Sequence, residues 1–224
     1  MNSLFKKIKL FKSILVYLWN PKNVSSVLKL GNSVSALTDN QLTIKNLKST
    51  PKTKKLLESK YGTENFDFPL LHTLPPKSLG HTFANYVKSN NLDPKFYDKH
   101  TNDLERSDYS YLVYRMRKTH DIWHIVTGFD TSEAGEAGLI AFYYAQLRTP
   151  LSRLIICLSF IHFLLRYPSD MPKLMNSISR GWQLGKTAKP LIAVKWEEIF
   201  DQPLIQVQKD LKLAPTELSP HLGL

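Results

Sequence analysis

Residues 119–136, THDIWHIVTGFDTSEAGE, bring together the side chains whose types and spacing point most directly to chemistry. His120 and His124 stand at i and i+4, so on a helix their imidazoles fall one turn apart on one face, with Asp121 about 100° round. Such a pair can grip one divalent metal. Gly128 reads as the stop of that helix. Asp130 with Glu133 three residues on reads as a capping box that starts the next helix and carries Glu136 inward, one turn before Ile140. Two His and one carboxylate would supply three protein ligands and leave positions open for water or substrate. The competing reading is a pair of core histidines satisfied by hydrogen bonds, because a motif needs its context. Asp121 stands where zinc metalloproteases carry a Glu that acts as general base. Being one methylene shorter, it can instead orient a His or touch the metal directly.

The elements that must position these residues are helical. A central helix is predicted from Asp103 or Ser107 to Thr127, with Leu112, Met116, His120, Trp123 and Thr127 as its buried stripe. At the N-terminus, Leu4, Ile8, Phe11, Leu15 and Leu18 recur at spacings of three and four. Residues 1–19 therefore read as a basic amphipathic helix that docks on the domain or lies on a membrane. Asn20 and Pro21 announce a helix over 24–37, with Val27, Leu28, Leu30 and Val34 as its apolar side. Ser49, Thr50 and Pro51 open a short helix that ends near Tyr61 and Gly62, 63–77 reads as a surface loop with three prolines, and 78–87 is helical again. Pro94 breaks the chain before the central helix. The helix carrying Glu136 is lined by Ala134, Gly135, Ala137, Gly138 and Ala141, small residues that let a neighbouring helix or a ligand approach. Pro150 starts an apolar helix that ends before Pro168, and Asp170 and Pro172 open a last long one that Pro190 ends. No stretch alternates convincingly over strand length. The fold class is all-α, a single-domain multi-helix bundle over 1–224 with a central metal-binding helix pair.

With 224 residues, 42% hydrophobic and 22% charged, the chain reads as a soluble globular protein with a sizeable core. Its net charge of +11 points to anionic partners, and Lys6, Lys7, Lys9, Lys12, Lys22 and Lys29 all precede the first acidic residue, Asp39. A membrane surface or nucleic acid could each use that charge. Nucleic acid is set aside because the basic residues are spread among apolar stripes and no recognised nucleic-acid module is present. The single cysteine, Cys157, excludes an intramolecular disulfide and is expected to be an inert core thiol. The longest apolar run, 154–165, is too short for a bilayer, which needs about 20 residues, so no transmembrane helix is expected. The opening residues lack a secretory cleavage site, and their basic charge comes from Lys rather than Arg.

His120, Asp121, His124 and Glu136, a His-Asp-x-x-His followed by eleven residues and a Glu, resemble the signature of the coenzyme Q biosynthesis protein 4 family. The resemblance extends to YLWNPKNVSSVLKLGNSVSAL, LPPKSLGHTFANYV, RGWQLGKTAKPL and VKWEEIFDQPL, and so covers the chain from about residue 15 to 211. It implies a largely helical, peripheral membrane protein of ubiquinone biosynthesis. Members of that family are described both as organising the other biosynthetic enzymes and as replacing the C1 carboxyl of a prenylated ring by hydroxyl. The motif residues would be metal ligands, with zinc first and iron or magnesium behind it. Zinc has no redox chemistry, so an oxidative step would need an oxidant or another metal.

A prenyl tail needs an apolar groove, and the candidates are Gly135, Gly138, Gly181, Gly185 and Ala188, against the plainer reading of tight helix packing. Arg180, Lys186 and Lys189 could hold an anionic head group, and Arg117 with Lys118 could draw one towards the metal; each could equally be a solvated charge. Trp123 could stack on a ring or simply pack. Glu133 is assigned to capping, and His162 is kept as a weak fourth ligand. His72, His81, His100 and His221 carry no spacing signal. Expected partners are a prenylated quinone precursor or other isoprenoid lipid, an anionic membrane surface, other quinone-biosynthesis enzymes and a second copy of the chain. A metal-dependent hydrolase is a weaker class, and a non-catalytic lipid-binding scaffold is the main alternative to an enzyme. The site would lie at the cytoplasmic face of a bacterial membrane, or at the matrix face of the mitochondrial inner membrane in a eukaryote. The bacterial option is favoured because family-like sequence begins so near Met1.

Overall fold

The computed structural model describes residues 3–38, 40–93 and 107–213; Asp39, Pro94, His100, Asp103 and His221 lie outside them. The described residues form twelve helices and no strand, so the fold is all-α. In chain order the helices are α1 (Ser3–Trp19), α2 (Val24–Ser35), α3 (Gln41–Lys48), α4 (Pro51–Ser59), α5 (Phe68–Thr73) and α6 (Leu79–Ser89). They continue with α7 (Asp108–Lys118), α8 (His120–Thr127), α9 (Glu133–Leu147), α10 (Pro150–Arg166), α11 (Met171–Thr187) and α12 (Leu204–Asp210). They pack as two compact units, Met1–Thr43 with Thr131–Lys186, and Ile44–Asp130 with Thr187–Leu224.

In the first unit, Asn23 caps α2 and Thr149 caps α10, each accepting from a backbone N–H in the first turn. Tyr17, Leu30, Val34, Ile155 and Leu158 form a buried cluster, with Leu10, Ile14 and Leu18 partly buried against it. Of the stripe read on α1, Leu18 packs on this cluster while Leu4, Ile8, Phe11 and Leu15 are turned outward. Leu4, Phe5, Ile8, Phe11, Leu15 and Trp19 are exposed, and Ser13 and Tyr17 are the buried pair. The Ser13 hydroxyl meets that of Ser33 on α2 at 2.9 Å. The hydroxyl pair sits among the inward Leu10, Ile14, Tyr17 and Leu18, where each oxygen finds a partner.

Helix α10 is apolar on more faces than one contact can cover. Ile155, Leu158, His162 and Phe163 point inward, while Ile161, Leu164 and Leu165 are exposed. Cys157 falls on the outer side, so it is an exposed thiol and not the core thiol expected. Among the described residues no helix is long and apolar enough to cross a membrane.

The small residues of α9 and α11 are used against each other. A methyl group added at Gly181 would overlap the Gly138 carbonyl oxygen, and one at Gly185 would sit 2.8 Å from the Phe142 carbonyl oxygen. Backbone of α9 therefore fills the room at Gly181, and backbone with the Ala145 methyl fills that at Gly185.

In the second unit Ser78 and Ser107 cap α6 and α7. The predicted central helix is two helices, because Thr119 leaves helical geometry (φ −101°, ψ 4°) and turns its hydroxyl onto the Arg115 carbonyl. Arg115 is fully buried and forks onto Glu197 at 2.6 and 3.1 Å, with a third bond to the Val194 carbonyl at 2.9 Å. Burial by itself would raise the Glu197 carboxyl; the Arg115 hydrogen bonds and charge, with Lys118, outweigh it and hold the group below its ordinary range. The Lys118 ammonium donates to the Gly62 and Glu64 carbonyls and lies over the Phe66 ring. It is a buried tie, and neither a solvated charge nor a head-group ligand. The stretch 63–77 also differs from expectation: Asp67 caps α5, six residues too short for periodicity to betray.

Candidate metal centre

Helix α8 lies almost wholly inside, from Ile122 to Thr127, while His120 and Asp121 in its first turn are half-buried. Gly128 ends it in the left-handed conformation (φ 66°), which glycine adopts at no steric cost, and returns its N–H to the His124 carbonyl at 2.8 Å. That turn brings the Phe129 carbonyl to 2.9 Å from Nδ1 of His124. A carbonyl only accepts, so Nδ1 carries the hydrogen and neutral His124 keeps its lone pair on Nε2. Nε2 in turn points at Nε2 of His120, 3.1 Å away.

Helix α9 starts two residues later than a capping box at Asp130 would place it. Its cap is Ser132, accepting from Gly135 N–H, because a serine adjacent to the helix needs no longer reach. Glu133 is thereby released from capping and its carboxylate meets Nε2 of His162 at 3.0 Å. Nδ1 of His162 faces the Leu18 carbonyl at 2.9 Å. Both ring nitrogens of His162 are engaged, so it is not a fourth ligand.

The ligand atoms of His120, His124 and Glu136 all lie within 4.8 Å of one another, and the three could hold a metal ion. Asp121 is not a member of this group. Two imidazole nitrogens and one carboxylate oxygen suit a borderline divalent ion, and the backbone-fixed tautomer of His124 is the one a metal requires. The donor set therefore fits.

Other candidates fall elsewhere. Trp123 is fully buried, as packing requires, and Gly135 is buried in the first turn of α9. Arg117 is half-buried, while Arg180, Lys186 and Lys189 are exposed. Two aromatic residues escaped the sequence reading. Tyr86, on α6, is buried with its ring centroid 6.4 Å from that of His124 and nearly parallel to it. Tyr17 is buried beside Ser159, and burial, with the charges of Glu136 and Glu133, pushes its hydroxyl up to about 12. No spacing signal links either to the motif.

An all-α chain bearing a two-imidazole, one-carboxylate group defines the class. The profile of the Coenzyme Q (ubiquinone) biosynthesis protein Coq4 family matches residues 1–217, and the chain belongs to that family of ubiquinone biosynthesis proteins. It is 27% identical over 204 residues to the mitochondrial ubiquinone biosynthesis protein coq4 of Aspergillus fumigatus, covering 87% of this chain and 67% of that protein. Against the mitochondrial protein of the same description from Vanderwaltozyma polyspora it is 26% identical over 201 residues, 88% of this chain and 58% of that one. A crystal structure from Nostoc punctiforme, described as a candidate ubiquinone biosynthesis protein, superimposes with a TM-score of 0.81 at 28% identity, covering 93% of this chain and 99% of that one.

Proposed function

We propose that this protein binds a prenylated aromatic acid at a divalent metal held by His120, His124 and Glu136, and supports replacement of the ring C1 carboxyl by hydroxyl. The observation that carries the reading is the pair of facing Nε2 atoms, one with its tautomer fixed by the Phe129 carbonyl. A bound zinc would supply Lewis acidity; iron could also exchange electrons, and magnesium is the third option. Losing carbon dioxide and gaining a hydroxyl oxidises the ring, so an oxidant such as dioxygen is consumed. Within the chain, His120, His124 and Glu136 orient the substrate's carboxylate end, Asp121 moves a proton from the same helix, and buried Trp123 and Tyr86 keep water from that end. Arg117, Arg180, Lys186 and Lys189 are retained as candidate head-group contacts, and Gly135 as lining for the tail.

Metal content by elemental mass spectrometry tests this. Near-stoichiometric zinc or iron in wild type, lost in His120→Ala and Glu136→Ala with helicity retained, is the expected result. Metal-free wild type under metal-sparing purification would overturn the reading.

A second reading, a lipid-surface scaffold for the other enzymes, is favoured by the exposed apolar face of α1 and the lysines beside it. Peripheral attachment belongs to both readings, at the mitochondrial inner membrane in a eukaryote or the cytoplasmic face in a bacterium. Flotation with anionic vesicles should recover the protein at low salt and release it as salt rises.

A further inference from the structure

We infer that the His162–Glu133 pair is a positioning element for Glu136, tying the first turn of α9 to the carboxyl end of α1. Glu133 is the first residue of α9 and Glu136 stands one turn on, so whatever fixes the first carboxylate fixes the start of the helix that aims the second. The fixing group is His162 of α10, buried and ringed by Phe163 and Tyr167 at centroid distances of 6.1 and 5.7 Å. Its other nitrogen donates to the Leu18 carbonyl, 2.9 Å away, one of the last-turn carbonyls of α1 that lack a partner within their own helix. The Nε2 to Oε2 contact of 3.0 Å needs a proton between the two atoms, because Nδ1 already holds one for the carbonyl. One imidazole thus joins three helices through two hydrogen bonds.

This inference rests on the metal reading and adds a role for residues outside the ligand set: the hold of His162 on the first turn of α9 and the aim of Glu136 are one mechanical property. Partners that hold metal ligands in orientation are worth roughly ten- to a hundredfold in metal affinity when removed.

The test is zinc affinity of the full chain, measured by competition with a chromophoric chelator, for wild type, His162→Gln, Glu133→Gln, the double variant and Ser13→Ala. The expected result is about a tenfold loss in each single variant, no further loss in the double, and none in Ser13→Ala, which loosens α1 without touching the pair. The visible spectrum of the cobalt-loaded protein should shift in His162→Gln in the direction that Glu136→Gln shifts it, which loss of stability alone would not produce. Should His162→Gln fail to fold, Glu133→Gln decides. Wild-type zinc binding with both pair variants within twofold of it overturns the inference alone; wild type that takes up no zinc overturns it together with the metal reading.

Discussion

The two units place charge and grease in opposite ways. In the unit of Ile44–Asp130 with Thr187–Leu224, a guanidinium and an ammonium are driven inside and matched there to Glu197 and to carbonyl oxygens. In the unit of Met1–Thr43 with Thr131–Lys186, leucines and phenylalanines are left in water along α1 while a serine pair goes inward. A buried ion pair gives little net stability over an apolar replacement but is costly to break halfway. Exposed apolar residues do the reverse: removing them costs the fold little, and they mark a surface kept for something else. The first unit is thus the place to look for association, and the second the place where single charges hold the fold.

The contrast fails if Glu197→Gln is mild. It leaves Arg115 buried without its counter-charge, and urea unfolding should show a loss of about 3–5 kcal/mol. Because the folded-state pKa of Glu197 lies below its unfolded value, the pair's stabilisation is present above the ordinary Glu range and lost as pH falls through the folded value. The acid limb of the stability curve should accordingly flatten in Glu197→Gln. Next in size is Gly181→Ala, where the new methyl meets the Gly138 carbonyl; about 1–3 kcal/mol should be lost in thermal unfolding, and no loss would mean that α9 and α11 can part. Ser13→Ala should cost about 1 kcal/mol, the size of one buried hydrogen bond. Smallest of all, Phe11→Ser and Leu15→Ser should change stability by no more than about 0.5 kcal/mol while weakening vesicle binding measurably. Unchanged flotation there would remove the membrane from the first unit's role.

What could be read from the chain followed local rules. Ser78 and Pro51 announce helix starts, Gly128 announces a stop, and the i, i+4 histidines carry their spacing openly. Less legible were choices between near-equal neighbours: Asp130 and Ser132 both make good caps, and only the fold selects the second. Amphipathicity did not say which side of α1 faced in, because the helix carries a second apolar row, Leu10, Ile14, Tyr17 and Leu18, and that row docks. The Arg115 clamp was hidden altogether, its partner being 82 residues away with nothing in either neighbourhood to announce it. His162 looked like a spare ligand for the same reason, since its partners Leu18 and Glu133 come from distant helices.

The acceptor that sets the tautomer of His124 is main chain, not side chain. Position 129 can therefore change its side chain, subject to packing, without removing the acceptor that fixes the tautomer of His124. Position 128 has less latitude: a side chain there would have to take up the φ of 66°, at a cost glycine avoids, beside the carbonyl that holds the Nδ1 hydrogen. Of two adjacent residues, neither a ligand, one is expected to tolerate exchange within its size class and the other to lose stability on it.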